Sequence, residues 1–190
     1  MQTSTKTYYS PEEYLEIETK AEYKSEYHDG QITPIAGSKP NHNKLEINLT
    51  SALNYHLRKK PYRVFMSDLR LWIPDCRLYT YPDVMVVNTP LVFAQNRQDT
   101  IINPLMIAEI LSDSTEKYDR GDKFRMYRTI PSLKEYLLIS QTAIQVEKFT
   151  KNDANQWVLS EYSAKADNII FVSFEFEISL DELYNRIEFV

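Results

Sequence analysis

Several scarcities narrow the chemistry before any motif is read. Glycine occurs only at Gly30, Gly37 and Gly121, so neither G-x-x-x-x-G-K-[ST] nor G-x-G-x-x-G can be written. Phosphate cradling by a glycine-rich loop is therefore excluded in its usual forms. Cysteine occurs once, at Cys76, which leaves no intrachain disulfide, no C-x-x-C and no thiolate zinc cage. Histidine occurs at His28, His42 and His56 only, and no H-E-x-x-H is formed. Long apolar runs are lacking too: 84–87 and 105–111 are far too short to span a bilayer. The stretch 1–11 is polar and has no apolar export-signal core, so a reducing cytoplasmic location is expected. Any chemistry falls mainly to carboxylates.

What is present is a globular composition. The 190 residues are 43% hydrophobic and 26% charged, enough for one domain with a core that needs no staples. Acidic residues outnumber basic ones by 27 to 22, a formal charge of −5. That argues mildly against a non-specific nucleic-acid coat, because phosphate contacts need local basic charge. An enzyme with a local basic cleft remains compatible.

The pattern along the chain predicts one mixed α/β domain. Ser10-Pro11-Glu12-Glu13 is a helix start with capping box. Residues 25–36 read as two short extended pieces around Asp29-Gly30, a strong turn signal. Leu45, Leu49, Ala52, Leu53 and Leu57 fall at helical spacing within 41–59, which Pro61 closes. Strands are predicted over 62–66, 69–73 and 81–88, followed by a polar connection at 96–103. The run 104–111 is apolar except for Glu109, the mark of a central strand buried on both faces. A helix over 114–128 and a strand over 134–139 complete a strand–helix–strand crossover long enough to be parallel. Further strands are predicted over 143–148, 156–163 and 169–172, with a terminal helix over 180–186 capped by Ser179.

Two charged residues stand out against this pattern. Asp83 lies at the mouth of the strand Val84-Met85-Val86-Val87, and Glu109 lies inside Met106-Ile107-Ala108-Glu109-Ile110-Leu111. A lone carboxylate in a core strand is costly unless it is paired or binds a metal. Two of them on adjacent strands could share one hard cation such as Mg²⁺, which takes one or two carboxylates with water and phosphate. Each alone also reads as a solvated or hydrogen-bonded strand-end residue. On the following helix Asp119, Lys123 and Tyr127 share one face. Lys123 could orient or deprotonate a water or stabilise charge on phosphate; a surface Asp119–Lys123 pair is the other reading. His42, at the head of the long helix, reads as a phosphate or water contact or as a capping or packing residue. Asp68 reads as an auxiliary acid or a turn residue.

These residues resemble the PD-(D/E)XK restriction-endonuclease-like superfamily, and more closely the Uma-two family of predicted endonucleases. The resemblance covers nearly the whole chain. It runs through Tyr14-Leu15, the segment 25–32, His42, Ser67-Asp68-Leu69-Arg70, Tyr81-Pro82-Asp83-Val84 and Ala108-Glu109-Ile110-Leu111-Ser112. Thr115, Asp119, Lys123, Tyr127 and Glu135-Tyr136-Leu137 extend it. It implies a restriction-endonuclease-like α/β fold, a mixed β-sheet flanked by helices. It implies a Mg²⁺ (or Mn²⁺) ion held by Asp83, Glu109 and the Ile110 carbonyl, with Glu26 as a further acid. Leu111 stands where the superfamily's short motif has lysine, and the family pattern gives that role to Lys123 on the next helix. The expected substrate is DNA, which the locally basic run Lys117, Arg120, Lys123, Arg125 and Arg128 would meet. Cutting two strands with one site per chain makes a homodimer the expected assembly. The alternative function is a nuclease-like fold with an idle site, kept for binding nucleic acid or protein.

Overall fold

The structure is a computed structural model that describes residues 8–189. The expectation of no export signal rests partly on residues 1–7, which lie outside them. In chain order the elements are α1 (Pro11–Lys20), β1 (Ser25–His28), β2 (Gln31–Pro34), α2 (Pro40–Leu57), β3 (Tyr62–Met66), β4 (Arg70–Ile73), β5 (Leu78–Thr80), β6 (Val84–Asn88), β7 (Thr100–Ile101) and β8 (Pro104–Leu111). They continue with α3 (Glu116–Tyr118), a π-helical turn (Asp119–Lys123), α4 (Phe124–Tyr127), β9 (Glu135–Ser140), β10 (Val146–Lys151), β11 (Trp157–Tyr162), β12 (Asn168–Phe171), β13 (Phe176–Ser179) and α5 (Leu180–Leu183).

Two sheets carry the architecture. The larger has the order β11-β10-β9-β8-β6-β3, the smaller β2-β1-β5-β4-β7, and β12 and β13 form a separate ribbon. β8 and β9 pair in parallel, from Met106 opposite Glu135 to Leu111 opposite Ser140. The crossover read from the sequence is therefore present. β8 sits between β9 and β6, which explains its apolar run on both faces.

Alternation along β8 sorts its side chains into two cores. Met106, Ala108 and Ile110 join Leu45, Leu49, Leu53 and Leu57 of α2. Ile107 and Leu111 join Tyr136, Leu138, Phe124, Met126 and Tyr127, together with Leu71, Ile73, Leu78 and Ile101 of the smaller sheet. Glu109 shares the parity of the second set, so it enters the layer between the two sheets.

Local signals that hold are the short-range ones. Ser10 and Glu13 form the reciprocal capping box, and Ser179 accepts from Glu182 N at 3.1 Å. The Asp29-Gly30 turn has positive φ at both residues, 38° and 95°, and joins β1 to β2 as a two-residue hairpin. A Cβ at Gly30 would also fall 2.1 Å from the Tyr8 ring.

The differences have physical causes. The expected strand over 81–88 starts only at Val84, because Pro82 has no N–H for a ladder. β5 and β7 are strands of three and two residues, too short to show a period. The helix expected over 114–128 is broken into α3, the π turn and α4. Among the described residues no helix is long and apolar enough to cross a membrane.

One buried ion pair holds the far end of the larger sheet. Lys148 Nζ lies 2.8 Å from Glu135 Oε1, both side chains being buried. The same carboxylate accepts from Val172 N at 3.2 Å and Ser173 N at 3.3 Å, tying the β12–β13 turn to β9. Glu135→Ala leaves an uncompensated ammonium and is expected to lower the unfolding free energy in urea by about 3–5 kcal/mol. Glu135→Leu combined with Lys148→Met should recover most of that loss. A Glu135→Ala loss under about 1 kcal/mol, the range of exposed pairs, would contradict this reading.

Candidate active site

The site grows out of the end of the β6–β8 ladder. Val84 pairs with Ala108, and backbone pairing stops there. The next bond is made by a side chain: Asp83 Oδ2 accepts from Ile110 N at 2.7 Å. Asp83 N makes a longer contact of 3.5 Å to Glu109 Oε2. The two acids singled out in the sequence therefore converge from neighbouring antiparallel strands. In an extended residue N–H and C=O face the same neighbour, so the Ile110 carbonyl also points to the Asp83 side.

Glu109 is 3% exposed. Its Oε1 accepts from the Tyr127 hydroxyl at 2.6 Å and lies 3.1 Å from Lys123 Nζ. Lys123 is also 3.6 Å from Glu26 Oε1 and 3.5 Å from Asp119 Oδ1. Glu26 comes from β1 of the smaller sheet, and the Thr80 hydroxyl of β5 donates to it. The π turn carrying Lys123 is anchored by Tyr136, whose hydroxyl donates to the Asp119 carbonyl at 3.0 Å. Single π turns frequently mark functional sites. Leu111, where a lysine stands in the superfamily motif, is buried in the apolar layer beside Tyr127 and Leu138. Lys123 brings the ammonium to Glu109 from the π turn instead.

Four sequence candidates thus meet: Asp83, Glu109, Lys123 and Glu26, with the Ile110 backbone among them. His42 meets them too, its Nε2 lying 3.2 Å from Asp83 Oδ2. Asp68 does not; it is exposed and pairs with Lys24, which fits the turn reading. Sequence reasoning missed Glu46 and Thr80. Glu46 is buried one turn after His42 and accepts from the Ser67 hydroxyl. Its signal was a carboxylate on the apolar stripe of Leu45 and Leu49, the kind of misfit that flagged Glu109.

The electrostatics are lopsided toward acid. Burial pushes Glu109 up to about 8; Lys123 opposes this, and the charges of Asp83 and Asp119 add to it. Burial alone would lower Lys123, but Glu109, Tyr127, Glu26 and Asp119 hold its ammonium well above the ordinary lysine range. Glu46 is also raised, first by burial.

The donor set fits one kind of cation. Among the described residues no three His, Cys, Asp or Glu side chains are gathered to hold a metal. A closed cage of protein ligands is thus not what the site offers. Two carboxylates and a backbone carbonyl match Mg²⁺ or Mn²⁺, which keep water and substrate oxygens in the remaining positions. The raised Glu109, pushed up by burial and by the charges of Asp83 and Asp119, marks excess negative potential that a cation would relieve.

Comparison with known proteins places the chain in a family and a fold. The model of the Uma2 family, described as "Putative restriction endonuclease", matches residues 11–181. The chain belongs to the Uma2 family. It is similar to two Synechocystis sp. proteins. To sll1609 it is 45% identical over 159 residues, 84% of this chain and 90% of that protein. To slr1290 it is 37% identical over 182 residues, 95% and 93% respectively. A crystal structure from Anabaena variabilis ATCC 29413, described as "a putative nuclease belonging to DUF820", superposes with TM-score 0.79. It covers 95% of this chain and 99% of that one at 18% identity, so the two share a fold. The restriction-endonuclease-like α/β architecture expected from the sequence is the one this Uma2 chain adopts.

The Glu109 shift yields a sign that can be checked without metal. Its folded value near 8 lies above the ordinary value of 4.5. The folded state therefore binds more protons between those pH values, and its stability falls as pH rises through them. Glu109→Gln lacks this term. The melting temperature of Glu109→Gln relative to the parent is expected to rise steadily from about pH 5 to about pH 8 in chelator. A difference that does not change with pH would contradict the raised value.

Proposed function

We propose that this protein is a Mg²⁺- or Mn²⁺-dependent endonuclease that hydrolyses DNA phosphodiester bonds. The observation that carries the reading is the convergence of Asp83 and Glu109 from adjacent strands on one side of Lys123. Asp83, Glu109 and the Ile110 carbonyl would hold the cation. When bound, it supplies an activated water and offsets charge on the scissile phosphate.

The remaining roles belong to the chain itself. Lys123 keeps its proton at neutral pH, so it stabilises charge developing on phosphate and orients the attacking water by donation. It is not the base. Tyr127 fixes the orientation of Glu109 through the bond to Oε1. Glu26 and Asp119 flank the ammonium and set its direction. Dense packing and second-partner bonds of this kind keep reacting groups within the tolerance that catalysis needs. The fold and the Uma2 membership support a nuclease. A homodimer would bring two such sites to the two strands of a duplex, and a reducing cytoplasm suits a chain with the single Cys76.

Plasmid cleavage tests the reading. The parent is expected to nick or cut supercoiled DNA with Mn²⁺ or Mg²⁺ and to stop in chelator. Asp83→Ala should abolish cutting while leaving the circular dichroism spectrum unchanged. Lys123→Met should slow it by about 10²–10³-fold, the effect of removing one charge-stabilising donor. Cutting by Asp83→Ala at the parent's rate would sink the mechanism. DNA binding by the parent with no cutting in either metal would mean an idle site and a binding module.

A further inference from the structure

His42 is the one histidine of the chain in contact with a proposed metal ligand, and its surroundings say how it acts. It enters on the first turn of α2, after Pro40 at the head of the helix. Its side chain is 11% exposed, and Nε2 lies 3.2 Å from Asp83 Oδ2. Nδ1 is fully buried and makes no hydrogen bond among the described residues. One ring nitrogen is therefore buried and the other engaged by Asp83.

Asp83 Oδ2 consequently has two donors, Ile110 N at 2.7 Å and His42 Nε2 at 3.2 Å. They approach from different elements, the strand β8 and the helix α2. Two donors on one oxygen fix both the position of the carboxylate and its rotation about the Cβ–Cγ bond. That directs the other oxygen, Oδ1, away from both donors. Only one ring nitrogen can serve: with the proton on Nε2, the buried Nδ1 is a bare acceptor, which is less costly than a buried unpaired N–H. Glu46, one turn below on the same face of α2, is occupied by the Ser67 hydroxyl.

We infer that His42 is a positioning residue, which orients Asp83 through Nε2–H and Oδ2 so that the carboxylate is preset to receive the divalent cation. This rests on the metal reading above. It assigns the histidine neither to metal ligation nor to substrate contact.

The test is Mn²⁺ binding by titration calorimetry on the full chain stripped of metal, with melting temperature recorded alongside. His42→Phe keeps a ring between α2 and the sheet but removes the donor. It is expected to bind Mn²⁺ about 10–100-fold more weakly, the usual cost of losing a partner that orients a ligand. Its metal-free melting temperature should stay close to the parent's. His42→Gln, which can place an N–H near the Nε2 position, should recover most of the affinity; a merely structural histidine would show no such rescue. If His42→Phe does not fold, His42→Asn, too short to reach Asp83, should show the same weakening. Parent-like Mn²⁺ affinity in the Phe or Asn variant would overturn the positioning role while leaving the metal site standing. No Mn²⁺ binding by the parent would overturn both.

Discussion

The site depends on one hydrogen bond at the end of a sheet. Where the β6–β8 ladder runs out of backbone, the Asp83 carboxylate takes the Ile110 N–H at 2.7 Å. Backbone pairing ends at Val84, where the Asp83 side chain takes the Ile110 N–H, and Pro82, having no N–H, offers no ladder donor to the Ile110 carbonyl. The bond places Asp83 against the segment 109–111 and so fixes its distance to Glu109. It also brings the Ile110 carbonyl to the same side. A rigid, buried strand pair thereby carries two acids that would otherwise be free to move apart.

The second constraint is the layer between the two sheets. Glu109 points into it by the alternation of β8, and Glu26 faces the same space from β1. The π turn between α3 and α4 is held to β9 by Tyr136 and delivers Lys123 to the gap. The result is a buried cluster with more carboxylates than cations, which burial alone makes costly. The raised Glu109 is the visible consequence. Perturbed clusters of this kind gather at functional sites, and the proposed small hard cation would match this one in sign and donor type. Lys123, held as an ammonium by the surrounding acids, would in the proposed reaction contribute charge rather than proton transfer.

The central features were legible in the sequence because they are misfits against a period. Glu109 interrupts an apolar run, and Asp83 follows a proline at the mouth of another. The capping box, the Asp29-Gly30 hairpin and the parallel crossover rest on local rules that tertiary context left undisturbed. What could not be read depends on long-range placement. β5 and β7 exist only because neighbouring strands are there to pair with them. The break in the helix over 114–128 follows from anchoring at Tyr136, which no spacing announces. Glu46 carried a usable signal, a carboxylate on the α2 stripe, yet its link to Ser67 spans a distance in sequence that periodicity does not address. His42 stood open between two roles until the structure showed Nδ1 buried and Nε2 against Asp83.

The claim that Asp83 and Glu109 form a cation site is tested most directly by anomalous diffraction from crystals soaked in Mn²⁺. The account predicts one strong anomalous peak between the two carboxylates, with metal–oxygen distances of about 2.0–2.6 Å to Asp83, to Glu109 and to the Ile110 carbonyl. A Mn²⁺-saturated crystal with no peak there, and the Asp83 and Glu109 side chains unmoved, would contradict it.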